Sequence, residues 1–214
     1  ILGAATSLDA YGKKLDAKSM REMTGTIREE AERLNRFIAN LLDMTRLESG
    51  AIEPKLDFVD LGDVVGSALQ RAAGVLARHD VHVDLAPDLP MLKLDPVLFE
   101  QVLFNLLDNA AKYTPPDSKI ELRAAQFGNQ VRLEVADEGD GIPPADLERI
   151  FDKFYRVQAV DRKRAGTGLG LAICRGFVEA MGGTIRASNR TDRRGALLSV
   201  TLPVPADQPQ ERAA

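Results

Sequence analysis

Apolar residues recur at steps of four and three along residues 20–45, a spacing typical of a helix that packs against other helices. The seam consists of Met20, Thr24, Ile27, Ala31, Leu34, Ile38, Leu41 and Thr45. Asp16 and Ser19 are possible N-caps, and Gly50 followed by Pro54 ends the pattern. The sequence therefore predicts one long helix that ends near Glu48.

Further apolar residues widen this stripe beyond what two helices can bury, namely Phe37, Leu42, Met44 and Leu47. The helices either dimerise into a four-helix bundle or pack on the rest of the chain. An ordinary monomeric hairpin is the alternative. The apolar opening at Ile1 has neither an initiator Met nor a helix cap, so we interpret residues 1–15 as the second half of a helix that begins upstream. A natural start after processing is the other interpretation.

Beyond Pro54 the apolar period alternates between that of helices and that of strands. Helices are predicted at residues 61–77, 96–113 and 169–181, with a short one after Pro143 and Pro144. Strands are predicted at residues 55–59, 81–85, 119–125, 130–136, 184–188 and 196–202. The predicted class is α+β: a helical hairpin over residues 1–50, then an α/β sandwich with an antiparallel-biased sheet over residues 51–203. A disordered tail is expected at residues 204–214.

Composition excludes some functions. The chain has 214 residues and a net charge of −4, so it lacks the basic excess that nucleic-acid binding requires. Its one cysteine, Cys174, permits no intrachain disulfide and reads as a small core residue. No apolar run approaches the roughly 20 residues that cross a bilayer, and no signal peptide is present. We expect these 214 residues to be soluble.

The first candidate for chemistry is the polar face of the helix predicted at residues 96–113. Asn105, Asn109 and Lys112 are spaced i, i+4 and i+7, which places them on one face. Amide oxygens suit Mg²⁺, and a lysine one turn on can contact phosphate. A solvated helix face is the alternative interpretation.

Two glycine-rich segments follow. Asp137 ends a predicted strand, and Gly139 and Gly141 behind it permit close approach of a ligand, although an Asp-Gly turn is also common. Residues 166–170 open a predicted helix, where free N–H groups and the helix dipole favour phosphate. Neither a Rossmann βαβ unit nor a Walker lysine accompanies them.

In this order and spacing, the segments resemble the nucleotide-binding motifs of histidine kinases, gyrase, Hsp90 chaperones and mismatch-repair ATPases. Residues 105–113 resemble the N box, residues 137–141 the first glycine box, residues 151–156 the F box and residues 166–170 the second glycine box. Residues 46–50 are similar to the join between the phosphotransfer and catalytic domains of bacterial sensor histidine kinases. Residues 1–5 are similar to the stretch after the histidine motif in potassium-responsive Kdp-type sensor kinases.

The resemblance implies ATP and Mg²⁺ as cofactors and gives individual residues roles. Asn109, helped by Asn105, is expected to ligate Mg²⁺, and Lys112 completes the expected catalytic set. The nucleotide is expected to contact Tyr113, Asp137, Gly139, Gly141, Ile142, Phe154, Arg156, Gly166, Thr167, Gly168, Leu169 and Gly170, besides Asn109 and Lys112. In particular, Asp137 is expected to bind the adenine amine. Lys153 and Arg156 are expected to reach the phosphates from a mobile lid at about residues 153–167, and the basic run at residues 162–164 can help steer ATP.

One position separates a kinase from an ATPase. Gyrase-like relatives carry a glutamate base where this chain has Asn105, and an amide cannot activate water. We therefore expect transfer of the γ-phosphoryl group to a histidine upstream of Ile1. His79 and His82 lack the acceptor motif and read as exposed or edge residues, although a metal cluster with Asp80 and Asp84 is conceivable. A nucleotide-gated interaction module without turnover and a gyrase-like or Hsp90-like ATPase remain alternatives.

The resemblance also implies partners and a location. A second copy is expected to pair through the helical hairpin, and the receiver domain of a response regulator is expected to take the phosphoryl group from the histidine. The chain would be the cytoplasmic portion of a bacterial inner-membrane sensor, and would meet the membrane only through regions upstream.

Overall fold

A computed structural model describes residues 2–11, 15–157 and 166–207 of the chain. The basic run at residues 162–164, most of the expected lid and the end of the expected tail lie outside these ranges. The chain divides into two compact units, residues 1–45 and residues 46–214. Within the described ranges, no helix combines the length and the apolar character that a membrane span needs.

The first unit is helical. It contains helix α1 (Leu2–Tyr11) and most of helix α2 (Ala17–Glu48). The predicted long helix is confirmed, and its cap is Asp16, whose Oδ1 accepts a hydrogen bond from the Ser19 amide at 2.7 Å. Several large apolar side chains of α2 are 37–54% exposed in the single chain. They are Met20, Leu34, Phe37, Ile38, Leu41 and Leu42.

The second unit is an α/β sandwich, as predicted. Its helices are α3 (Leu61–Leu76), α4 (Pro96–Tyr113) and α5 (Gly170–Ala180). Its strands are β1 (Asp57–Val59), β2 (Asp80–Leu85), β3 (Leu92–Leu94), β4 (Lys119–Phe127), β5 (Gln130–Ala136), β6 (Thr184–Asn189) and β7 (Ala196–Pro203). Two 3₁₀ turns, Pro144–Asp146 and Arg149–Phe151, lie between β5 and α5.

The main sheet has five strands in the order β2-β4-β5-β7-β6. Only β2 and β4 pair in parallel, and the other three pairs are antiparallel. The predicted antiparallel bias is therefore confirmed. At the end of the sheet the Val204 amide donates to Asn129 O at 2.8 Å, so the chain keeps a backbone contact at the first residue of the expected tail.

Helix α4 lies at the centre of the helical layer, between α3 and α5. Many of its apolar side chains are fully buried, among them Phe99, Leu103 and Leu107, and they share the core with alternate residues of β4 and β5 such as Leu122 and Leu133. Burial of each such side chain contributes about 1.5–3 kcal/mol to stability. The position of α4 is thus fixed by packing rather than by its polar residues.

The start of α4 is fixed as well. Asp95 caps the helix by accepting hydrogen bonds from the amides of Val97 at 3.0 Å and Leu98 at 3.1 Å. Its second oxygen accepts from the Lys55 amide at 2.9 Å, which ties the segment before β1 to the helix. Asp95 thus caps the helix and also joins two distant parts of the chain.

One strand was not predicted. β3 pairs antiparallel with β1 in a separate two-stranded sheet. With only three residues, β3 is too short to show an alternating pattern, and tertiary pairing rather than local sequence makes it a strand.

Candidate functional site

Helix α4 carries the first group of candidate residues. Asn105 is 8% exposed, and its buried Nδ2 has no hydrogen-bond partner among the described residues. Asn109, one turn on, is half-buried. Lys112 forms an ion pair with Asp108 on the preceding turn. The predicted polar face therefore exists, but its first residue is enclosed by protein and its last is already paired.

The first glycine loop, residues 137–142, begins where β5 ends. Asp137 is 8% exposed, and its Oδ1 accepts hydrogen bonds from the amides of Gly139 at 2.8 Å and Ala196 at 3.0 Å. Burial raises the pKa of Asp137 above the usual aspartate value, although these two amides act in the opposite direction. Oδ2 accepts no hydrogen bond from the described residues, so this oxygen is open to a donor on a ligand.

The first glycine loop lies against the end of α4. A Cβ added at Gly139 would come within 2.5 Å of Tyr113 O and 3.0 Å of Asp137 Oδ1. Real Cβ atoms do not approach carbonyl oxygens so closely, so only glycine permits this contact. The close approach brings Asp137 and Tyr113, two of the predicted nucleotide contacts, into one neighbourhood.

The second glycine segment, residues 166–170, meets α4 two turns before Tyr113, at Asn105. Gly170 is the first residue of α5, and a Cβ on it would lie 3.9 Å from Asn105 Cγ. The residue before it, Leu169, is fully buried and forms no side-chain cap. Any contact between Leu169 and a nucleotide would therefore come from its backbone. The first N–H groups of α5 receive no hydrogen bond from the Leu169 side chain.

The predicted F box packs on the second glycine segment. The Phe154 amide donates to Gly168 O at 2.9 Å, and a Cβ at Gly168 would lie 2.7 Å from the Phe154 carbonyl carbon. Both residues have positive φ, 62° at Phe154 and 72° at Gly168. The Phe154 ring is 61% exposed, and Arg156 is also exposed. Glycine is thus required at Gly168 by both its conformation and its neighbour.

Lys153 occupies a position that the sequence could not indicate. Its Nζ lies 2.5 Å from Glu48 Oε1, in the same unit of the chain. Next to it, the Tyr155 hydroxyl donates to Asp146 Oδ1 at 2.6 Å. Side chains at the start of the expected lid are therefore engaged with protein partners in this state.

Sequence reasoning missed the segment that supports the first glycine loop. Residues 190–195 connect β6 to β7, and Gly195 has φ of 140°. A Cβ at Gly195 would lie 1.9 Å from Asp137 O, so this turn is in direct backbone contact with the loop. In the sequence these residues read as an ordinary charged hairpin turn, and no local signal connects them with Asp137.

The histidines need one correction. His82 is exposed on the edge strand β2, as predicted, whereas His79 is half-buried and neither of its buried ring nitrogens has a partner among the described residues. His79 lies in the short connection between α3 and β2. Among the residues that the structure describes, no group of three or more His, Cys, Asp or Glu side chains is placed to hold a metal ion.

Cys174 is fully buried on α5 beside Asn105 and Val102, as predicted for a core residue. Burial raises the pKa of its thiol to about 12, against the smaller opposing effect of the Asn105 side chain. The thiol is therefore protonated and inert at neutral pH.

Known proteins similar to this chain share its predicted nucleotide-binding family. Residues 94–206 match the family model described as histidine kinase-, DNA gyrase B- and HSP90-like ATPase. The chain is 39% identical over 204 residues to the sensor protein KdpD of Clostridium acetobutylicum, covering 95% of this chain and 23% of that protein. It is 42% identical over 177 residues to KdpD of Escherichia coli, covering 83% of this chain and 20% of that protein. The chain thus spans about a quarter or less of these curated relatives.

Solved structures agree. Full-length ShkA in complex with AMPPNP superposes with a TM-score of 0.75 at 28% identity, over 95% of this chain and 42% of that one. The mycobacterial sensor histidine kinase MprB superposes with a TM-score of 0.62 at 28% identity, over 69% of this chain and 97% of that one.

Proposed function

Since the chain belongs to the family of histidine kinase-, DNA gyrase B- and HSP90-like ATPases, we propose that it is the ATP-binding catalytic core of a bacterial sensor histidine kinase. It would transfer the γ-phosphoryl group of ATP to a histidine of the parent protein outside these 214 residues, and thence to an aspartate of a response regulator. The similarity to KdpD proteins along most of the chain favours a Kdp-type sensor.

A single arrangement carries this proposal. Helix α4 contacts both glycine segments, at Tyr113 through Gly139 and at Asn105 through Gly170. The second segment in turn contacts the F box at Phe154. Residues 65 positions apart in the sequence, Asn105 and Gly170, are thereby placed side by side. These contacts between the predicted nucleotide-binding motifs support the proposal.

Different parts of this surface suit different parts of ATP. The unoccupied Oδ2 of Asp137 can accept a hydrogen bond from the adenine amine, and its buried setting strengthens that bond. The N-terminus of α5, preceded by Gly166 and Gly168, suits the phosphates because its N–H groups and dipole favour anions. Lys112 can reach a phosphate oxygen by exchanging its bond to Asp108.

Mg²⁺ fits the amide donors of α4 unequally. Asn109 is half-buried and can present its amide oxygen to a metal ion, whereas Asn105 is almost fully enclosed. We therefore assign direct ligation to Asn109 and a supporting position to Asn105. A bound Mg²⁺ would supply positive charge to neutralise the phosphates during transfer.

Transfer to protein is favoured over hydrolysis. The residue in the position of the gyrase-type base is Asn105, and its amide cannot take a proton from water. The proposed role of the chain is thus to position ATP for a protein nucleophile rather than to activate water.

The exposed apolar side chains of α2 suit a second copy of the chain. Leu34, Ile38 and Leu41 follow the seam spacing and are all more than 40% exposed. Burying this stripe against its symmetry mate would form the four-helix bundle that the pattern predicts. We further propose that the parent is an inner-membrane sensor of which this chain is a cytoplasmic portion.

Titration calorimetry with a non-hydrolysable ATP analogue tests the proposal. We expect Mg²⁺-dependent binding with Kd in the micromolar to millimolar range, abolished or strongly weakened by Asn109→Ala. His82→Ala is a matched control because His82 is exposed on an edge strand. Absence of binding by the unmodified chain would refute the proposal.

A further inference from the structure

The first glycine loop is held by one side chain from another part of the sheet. Asn189, the last residue of β6, donates from Nδ2 to Ile142 O at 2.7 Å and accepts from the Ile142 amide at its Oδ1, also at 2.7 Å. A primary amide has one donor and one acceptor side, so it satisfies both backbone groups of Ile142 at once. The side chain acts as one extra rung of a β ladder.

The fit between this side chain and the loop is close. Gly141 has φ of 77°, and a Cβ on it would lie 2.8 Å from Asn189 Oδ1. Glycine at this position thus allows the loop to bend over the Asn189 amide. Because Gly139 and Gly141 give the loop much conformational freedom, a fixed point at Ile142 removes many alternative conformations.

The connection that follows Asn189 supports the beginning of the same loop. The Asp137 amide donates to Ala196 O at 3.0 Å, and the Ala196 amide donates to Asp137 Oδ1 at the same distance. The Arg190 amide closes the turn by donating to Gly195 O at 3.0 Å. Both ends of the first glycine loop, at Asp137 and at Ile142, are therefore bonded to the β6–β7 hairpin.

Ion pairs join the other acidic side chains of the loop to the β6–β7 turn. Arg193 Nη1 donates to Glu138 Oε1 at 2.9 Å, and Arg194 Nη2 lies 2.7 Å from Asp140 Oδ1. Arg194 and Asp140 are exposed, whereas the Glu138 side chain is only 28% exposed. The two pairs add further contacts between the loop and the β6–β7 turn.

We propose that Asn189 is a positioning residue for the nucleotide base, and that it fixes the first glycine loop in its binding conformation before ATP arrives. This inference rests on the proposed function, since it concerns the same site. Asn189 touches no reacting atom; it acts through Ile142 and Gly141. Holding the loop in advance lowers the ordering cost of binding and so strengthens affinity.

The test measures ATP and ADP binding by Asn189→Ala in the 214-residue chain. Loss of two hydrogen bonds of ordinary strength can weaken affinity by up to about thirtyfold, and because the site is exposed we expect about fivefold. The base side of the site is common to both nucleotides, so ATP and ADP should lose affinity by the same factor. Ser188→Ala, an exposed change on the same strand, should leave both unchanged.

Hydrogen exchange without nucleotide supplies an independent readout. In Asn189→Ala, the amides of residues 139–142 should exchange faster, while those of residues 166–170 should keep their wild-type rates. The ATP affinity of Asn189→Asp, measured over a series of pH values, is a second independent readout. Its carboxylate accepts from the Ile142 amide but donates to Ile142 O only when protonated, so its ATP affinity relative to wild type should rise as the pH falls.

The outcomes are distinct. If the unmodified chain binds no ATP, the proposed function fails, and the inference with it. If the unmodified chain binds ATP and Asn189→Ala binds ATP equally well, only the inference is overturned. Faster exchange in both glycine segments, or unequal losses for ATP and ADP, would also overturn it, because the effect would not be confined to the base side. If Asn189→Ala does not fold, the pH series on Asn189→Asp decides by itself.

Discussion

Asp137→Asn separates the two tasks that the buried carboxylate performs. In the folded chain Oδ1 accepts from the amides of Gly139 and Ala196, and an asparagine oxygen can accept the same two bonds. The other atom changes from an acceptor to an NH₂ donor. This donor would face the adenine amine, which is also a donor. The variant should therefore keep its fold and lose its nucleotide affinity.

The size of the affinity loss follows from the burial of Asp137. A hydrogen bond to a charged group contributes about 1.5–3 kcal/mol, and two facing donors in a buried site add a desolvation cost of about 1–3 kcal/mol. A combined loss near 3 kcal/mol corresponds to roughly a 100-fold increase in Kd. Calorimetry with a non-hydrolysable ATP analogue measures it directly. Asp140→Asn is the matched control, because Asp140 is on the same loop but is exposed and pairs with Arg194.

The stability difference between Asp137→Asn and wild type should depend on pH in a defined direction. Because burial raises the pKa of Asp137, the ionised form destabilises the fold, and this cost disappears as the pH falls through the raised pKa. Asp137→Asn resembles the protonated form at every pH. Its stability relative to wild type should be highest near neutral pH, and the difference should shrink on acidification. Wild-type ATP affinity should fall over the same acidic range, as the carboxylate loses its acceptor.

Two results would refute this reasoning. ATP affinity of Asp137→Asn within threefold of wild type would mean that Oδ2 does not meet the base. A large loss of stability at neutral pH would mean that the charge, rather than the oxygen geometry, holds Gly139 and Ala196 in place.

Two further predictions concern the fold and the assembly. Gly195→Ala should destabilise the chain by at least about 3 kcal/mol in a denaturant titration, because a Cβ would lie 1.9 Å from Asp137 O; Gly128→Ala, with positive φ but open space, should cost only about 1 kcal/mol. Leu41→Asp should raise the dimer dissociation constant by more than about 100-fold in sedimentation, because each dimer buries two Leu41 side chains at about 1.5 kcal/mol or more each. Asn35→Ala, the control, should leave the dissociation constant unchanged. A strictly monomeric wild-type chain at high concentration would contradict the paired bundle.

Much of the fold follows from local signals. The period of four and three along α2, Asp95 and Pro96 at the start of α4, and Gly128 and Asn129 between β4 and β5 each indicate an element that the structure contains. β3 could not be predicted in this way. Its three residues become a strand only because β1 lies beside them, and that pairing is a tertiary event.

The candidate site was predictable as a set of motifs but not as a geometry. Spacing placed Asn105 and Asn109 on one face, yet only packing shows that Asn105 is enclosed while Asn109 is not. Asn189 lies 47 positions from Ile142, and the two meet because the sheet order brings β6 to that edge. Long-range pairing of this kind leaves no trace in the local pattern.

The most direct test of the central claim is a phosphorylation assay with γ-labelled ATP and Mg²⁺. The 214-residue chain should bind ATP but show little stable phosphorylation and only slow release of free phosphate. The same chain extended into the parent's upstream segment should incorporate acid-labile, base-stable phosphate, and Asn109→Ala in that longer protein should not. Rapid steady-state hydrolysis by the 214-residue chain, or no incorporation by the longer protein while ATP is bound, would contradict its assignment as the catalytic core of a histidine kinase.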